Sequence, residues 1–156
     1  MKMSGGCQCG AVRFRCEPDP SSAHICHCRM CQKAVGNIFA ALVRVDAGGL
    51  RWTKAEPKRF ASSNIARRGF CPDCGTPLSY EAPDGVFLTI GAFDDPASLP
   101  PLKQHGVEAR CDFVSTLGTL PESRTDEDAE NQPFLAEIVS YQHPDQPDYE
   151  NEKDSA

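Results

Sequence analysis

Seven of the nine cysteines fall into three tight groups: Cys7-Gln8-Cys9, Cys26-His27-Cys28-Arg29-Met30-Cys31 and Cys71-Pro72-Asp73-Cys74. Thiolate sulfur is a soft donor, and at C-x-C or C-x-x-C spacing successive sulfurs can face one ion. As disulfides the same spacings would close very small rings. Two pairs and one triple make a four-thiolate set and a three-thiolate set. A structural zinc takes four protein ligands in a tetrahedron, whereas a catalytic zinc keeps one position for water or substrate. The count predicts two zinc ions per chain, one holding the fold and one open to chemistry.

A disulfide framework is the competing use of so many cysteines. Met1 to Ser4 leads straight into Gly5-Gly6-Cys7 without the apolar region of a secretory signal, and the cysteine total of 9 is odd. The expectation is a reducing, cytoplasmic compartment, where clustered cysteines are metal-binding or catalytic. Cys26, Cys28 and Cys31 lie so close that one turn can aim all three sulfurs at a single ion. Cys7 and Cys9 complete a tetrahedron if they join Cys71 and Cys74; two unrelated half-sites, or one mixed site with spare thiols, are the alternative. Pro72 sets the turn of a zinc knuckle, and Gly75 permits the positive φ at which backbone N–H groups point at sulfur. Gly5, Gly6 and Gly10 are expected to serve the first pair in the same way.

These groups must be held by a small framework. A chain of 156 residues fits one domain with a tail, and an apolar fraction of 40% implies a modest core that bound metal would reinforce. Ala11 to Cys16 alternates apolar and charged residues, the period of a half-buried strand with Val12, Phe14 and Cys16 inward. Ile38 to Val45 reads as a more buried strand, Asp46 to Gly49 as a turn, and Leu50 to Trp52 as its continuation. Pro77 to Tyr80 and Val86 to Ile90 flank Ala82-Pro83-Asp84-Gly85 as a hairpin. The fold class expected is all-β with short helical turns, one of them over Arg29 to Ala34.

The net charge of −6 is unevenly placed, because residues 122–156 carry 11 acidic side chains against Arg124 and Lys153. Neither half has the Lys and Arg density of a nucleic-acid surface, and no apolar stretch reaches membrane-spanning length. Pro121 to Pro133 reads as loop, Phe134 to Val139 as a short docking element, and the chain from His143 onward as disordered. The expected division is a domain over 1–122 and an acidic, partly disordered extension over 123–156.

The run Gly6-Cys7-x-Cys9-Gly10-x-Val12-x-Phe14, then Cys26-His27-Cys28-x-x-Cys31-Gln32-Lys33, then Phe70-Cys71-x-x-Cys74-Gly75-Thr76-Pro77-Leu78 resembles the glutathione-dependent formaldehyde-activating enzymes. The likeness continues through His105-Gly106-Val107-Glu108 and Leu120-Pro121. It implies a zinc-stabilised, β-rich fold similar to that of Mss4. It also implies that Cys7, Cys9, Cys71 and Cys74 bind a structural zinc and that Cys26, Cys28 and Cys31 bind an active-site zinc. The implied partners are a small thiol such as glutathione and a small aldehyde such as formaldehyde. The implied activity is that of a carbon–sulfur lyase, resembling S-(hydroxymethyl)glutathione synthase. The rival from another class is a non-catalytic zinc module that binds a protein partner or a thiol carrier. One departure stands out: the stretch after His105 usually reaches a tryptophan, where this chain has Cys111-Asp112-Phe113.

Other residues are weighed more plainly. His27 lies between two ligands and is expected to point away from the metal, and His24 reads as a strand residue. His105 reads as structural before catalytic. Cys16 and Cys111 read as core thiols, and Trp52 as packing. Arg67, Arg68, Lys54, Lys58 and Arg59 are the basic groups available to ligand carboxylates, with solvated loop charges as the ordinary reading.

Overall fold

The computed structural model describes residues 1–146, without the side chains of 129–131. It is β-rich, as its composition and periodicity predict. Its strands are β1 (Met3–Gly6), β2 (Arg13–Cys16), β3 (His24–Cys26), β4 (Ala40–Val45), β5 (Arg51–Trp52), β6 (Lys58–Ala61), β7 (Arg67–Phe70), β8 (Pro77–Ala82), β9 (Gly85–Thr89) and β10 (Lys103–His105). One sheet has the order β1-β2-β5 and the other β10-β3-β4-β9-β8-β7-β6. Neighbours are antiparallel except β10, which lies parallel to β3 and pairs His105 with Cys26.

The alternation in β2 does what a period of two requires: Val12, Phe14 and Cys16 are buried with Val43, Val45, Leu78, Leu88, Phe93 and Leu99. Phe14 meets Trp52 and Phe93 edge-on, with ring centroids 5.9 and 5.1 Å away, so Trp52 packs as expected. Arg13, on the opposite phase of β2, is also buried, and Asp94 receives its guanidinium through two hydrogen bonds of 2.9 and 2.7 Å. A buried charge needs such a partner.

The β8–β9 hairpin forms where the turn residues place it, closing with Ala82 opposite Gly85. The first helix, α1 (Arg29–Val35), runs one residue beyond expectation and ends on Gly36 in the left-handed conformation.

The chain divides into two compact units, one of Met1–Arg110 with the described residues from Gln142, the other Cys111–Tyr141. The second unit corrects the loop reading of Pro121 to Pro133: Thr125–Asn131 is a helix, α2. Asp126, Glu127 and Asp128 in its first turn suit the positive end of the helix dipole, and the Arg124 N–H donates to Glu127 Oε2. Charge that counts against a core thus favours a helix start. Phe134, Ile138 and Val139 are exposed. Cys111 is half-buried and outside the core, unlike Cys16. Most of the chain expected to be disordered, residues 147–156, lies outside the described residues. No helix among the described residues is long and apolar enough to cross a membrane.

Candidate functional site

Cys7, Cys9, Cys71 and Cys74 converge with their sulfurs within 4.8 Å of one another. Cys7 and Cys9 follow β1; Cys71 and Cys74 fill the turn between β7 and β8, just after a register shift at Gly69/Phe70. Both turns aim backbone donors inward. The Val12 N–H donates to Cys7 Sγ at 3.2 Å, while Gly10 and Gly75 take φ of +74° and +78°. Gly5 and Gly6 do not share that role. They lie in β1 without positive φ, and a Cβ would strike the backbone of Ala92 and Phe93 at Gly5 and that of Val12 at Gly6. Burial raises the Cys71 thiol to about 12. At Cys74 burial is opposed by the Thr76 hydroxyl and backbone N–H, and the thiol falls to about 6.

Cys26, Cys28 and Cys31 form a second group, again with sulfurs within 4.8 Å. Cys26 ends β3, Cys28 is the N-cap of α1, and Cys31 lies in its first turn. Burial pushes Cys26 up to about 12. Cys28 is held below the ordinary thiol value: burial works against this, but the Cys31 N–H, 3.4 Å from its sulfur, and the charge of Arg68 favour the thiolate.

His27 does not join the group. Its ring is fully buried, with Nε2 2.8 Å from Gln104 Oε1 and Nδ1 without a hydrogen-bond partner among the described residues. Gln32 Nε2 donates to the carbonyls of His27 and Ala109 and so ties the cysteine loop to the segment after β10.

The three cysteines line one cavity of about 610 Å³ with His24, Arg44, Arg68, Tyr80, Phe87, Lys103 and His105. Of the basic residues weighed from sequence, Arg68 reaches it. Arg59 is held instead by Glu81 and Glu56. His105 rests edge-on against His24 at 4.9 Å and is held below its ordinary pKa, first by burial and then by the charges of His24 and Lys103. His24 is the strand residue expected of it.

A family model described as "Glutathione-dependent formaldehyde-activating enzyme" matches residues 2–108. The chain belongs to that family. A protein of Halomonas elongata named "Putative glutathione-dependent formaldehyde-activating enzyme" is 32% identical over 116 residues, 67% of this chain and 74% of that protein. A crystal structure of a Rhodobacter sphaeroides protein superposes with a TM-score of 0.49 at 23% identity, covering 65% of this chain and 99% of that one.

Both cysteine groups of this family member suit a soft metal ion: the donors are free thiols, and in each group one of them, Cys74 or Cys28, is turned toward thiolate by hydrogen-bond donors at its sulfur. Lys103, Arg44, Tyr80 and Phe87 escaped the sequence reading because strand register alone brings them to the cavity. Gly106 carried a signal that was legible only in part. It lies in the His105-Gly106 motif, and the structure supplies the reason for glycine there: φ is +62°, and a Cβ would sit 2.7 Å from Cys28 N and 3.0 Å from Cys28 Cβ. Gly106→Ala should therefore cost about 1–3 kcal/mol in backbone strain. Metal should be released from the three-cysteine group to a chelator well before wild type releases it, with the four-cysteine group unchanged. Time-resolved metal release with a chromogenic chelator measures both phases.

Proposed function

We propose that this chain is a zinc-dependent carbon–sulfur lyase-type enzyme that joins a small thiol, such as glutathione, to a small aldehyde, such as formaldehyde, and reverses that reaction. The observation that carries the reading is the unequal pair of cysteine groups. Four sulfurs close around one point, whereas three gather beside a cavity large enough for a small-molecule ligand. Cys7, Cys9, Cys71 and Cys74 would hold a structural zinc, and Cys26, Cys28 and Cys31 a second zinc with one position left. When bound there, zinc favours the thiolate form of a thiol that enters the remaining position.

The chain's own residues do the rest. Arg44 and Lys103 offer positive charge to the carboxylates of a glutathione-like thiol, while Tyr80 and Phe87 wall the cavity. His105, on the same cavity, presents an imidazole to take the thiol proton. Sulfur then attacks the carbonyl carbon, the C=O π pair moves to oxygen, and that oxygen receives the proton. The product is a hydroxymethyl thioether, and the reverse path releases thiol and aldehyde. Unpaired thiols of this kind suit a reducing cytoplasm.

Zinc analysis with and without glutathione, followed by an adduct assay with formaldehyde, tests the proposal. Two zinc per chain are expected, with one lost first to mild chelation and protected by glutathione, and adduct formation should exceed the spontaneous rate. A two-zinc protein that holds both ions equally, ignores glutathione and adds nothing to the spontaneous rate would be a binding module instead.

A further inference from the structure

Arg68 is a buried cation held in an unusual way. The residue is 5% exposed, and its side chain ends in a guanidinium cation. Burial of a charge is costly unless an opposite charge and hydrogen bonds compensate it. Buried Arg13 follows that rule with Asp94, and even half-buried Arg59 has Glu81. Among the described residues no carboxylate forms an ion pair with Arg68. Its Nε donates to Ser62 Oγ at 3.0 Å, its guanidinium carbon lies 4.8 Å from the centre of the Tyr80 ring, and its Nη2 donates to Cys31 Sγ at 3.3 Å. Neither a hydroxyl nor a ring face carries a formal charge. Of its hydrogen-bond partners, the one that belongs to the three-cysteine group is the Cys31 sulfur, and the charge of Arg68 reaches Cys28 as well.

The position is built rather than incidental. Arg68 stands opposite Tyr80 in the β7–β8 register and opposite Phe60 in β6–β7, so sheet pairing fixes its backbone on both sides. Tyr80 supports the guanidinium face, Ser62 accepts from Nε, and Nη2 meets the sulfur.

We propose that Arg68 is a positioning residue for thiol capture: its contact with Cys31 offsets the negative charge of the three-cysteine site, so that an arriving sulfur can bind as thiolate. The proposal rests on the assignment of zinc and thiol to Cys26, Cys28 and Cys31, and deepens it. A divalent ion with three thiolates carries one net negative charge, and a fourth thiolate adds another. One guanidinium in hydrogen-bond contact cancels one of these. Without it, a neutral occupant such as water competes better for the last position.

The test uses the full chain loaded with cobalt in place of zinc, titrated with 2-mercaptoethanol, a thiol with no carboxylate for Arg44 or Lys103 to bind. The readout is the rise of the sulfur-to-cobalt charge-transfer band as a fourth sulfur joins the three-cysteine group. Wild type should respond and saturate. Arg68→Gln should need about tenfold more thiol or beyond, the scale of a hydrogen bond to a charged group, and Arg68→Lys should recover part of the loss. The thermal transition and the absorption of the four-cysteine group should not move. A wild type without any thiol response would overturn both this inference and the function proposed above. A responsive wild type matched by Arg68→Gln would overturn the inference alone. Should Arg68→Gln fail to fold, Arg68→Met carries the test, because it removes the charge and keeps an apolar stem in the buried position; a wild-type midpoint in that variant overturns the proposal.

Discussion

Cys74→Ser is expected to unfold the protein. Cys7 and Cys71 are buried in the main core, Cys74 packs against it, and the four sulfurs draw together the end of β1 in one sheet and the β7–β8 turn in the other. A structural zinc contributes about 10–16 kcal/mol of apparent folding free energy in small metal-dependent domains, while whole domains are stable by only about 5–15 kcal/mol. Loss of one ligand should therefore remove more stability than this modest core supplies by itself. Circular dichroism should show no cooperative melt, and zinc analysis should show loss of the structural ion. A folded Cys74→Ser protein that still holds one zinc would refute the division of labour between the two groups.

The second large effect is expected at Cys28 and has the opposite character. Cys28→Ser should lower zinc from two ions per chain to one and reduce adduct formation to the spontaneous rate, with the melting transition retained. Two features protect the fold. Cys26, Cys28 and Cys31 belong to a smaller cluster with Ala40, Leu42, Val35 and Phe87, apart from the main core. Cys28 is also the N-cap of α1, accepting the Cys31 N–H, and serine is among the residues best suited to that position. A Cys28→Ser variant that keeps both ions and full turnover would remove the three-cysteine group from the chemistry. The contrast with Cys74→Ser is informative because both are single thiol-to-hydroxyl exchanges with the same loss of ligand softness.

Much of this arrangement is readable along the chain because its causes are local. Ligands two or three residues apart reach one ion through the intervening turn, so the cysteine groups announce themselves by spacing. The period of two in Val12, Phe14 and Cys16 identifies the inward face of β2, and the turn at Ala82 to Gly85 announces the β8–β9 hairpin. Pro121 to Pro133 departs from the loop expectation for a physical reason: charge argues against a core, but acidic side chains at the start of a segment also favour the first turn of a helix. The proposed role of Gly5 and Gly6 failed similarly, since close packing can demand glycine as strictly as positive φ does.

The sequence by itself determined the donor atoms, their grouping and the β-rich frame, because these follow from covalent spacing and side-chain period. Tertiary structure alone decided which charges meet the three-cysteine group. Arg59 and Arg68 are equally basic in the sequence, yet strand register delivers one to Glu81 and the other to Cys31. In the same way the parallel pairing of β10 with β3 brings His105 opposite Cys26 and leaves Gly106 no room for a side chain beside Cys28. Contacts between distant segments depend on register and packing, and neither is written in any short stretch of residues.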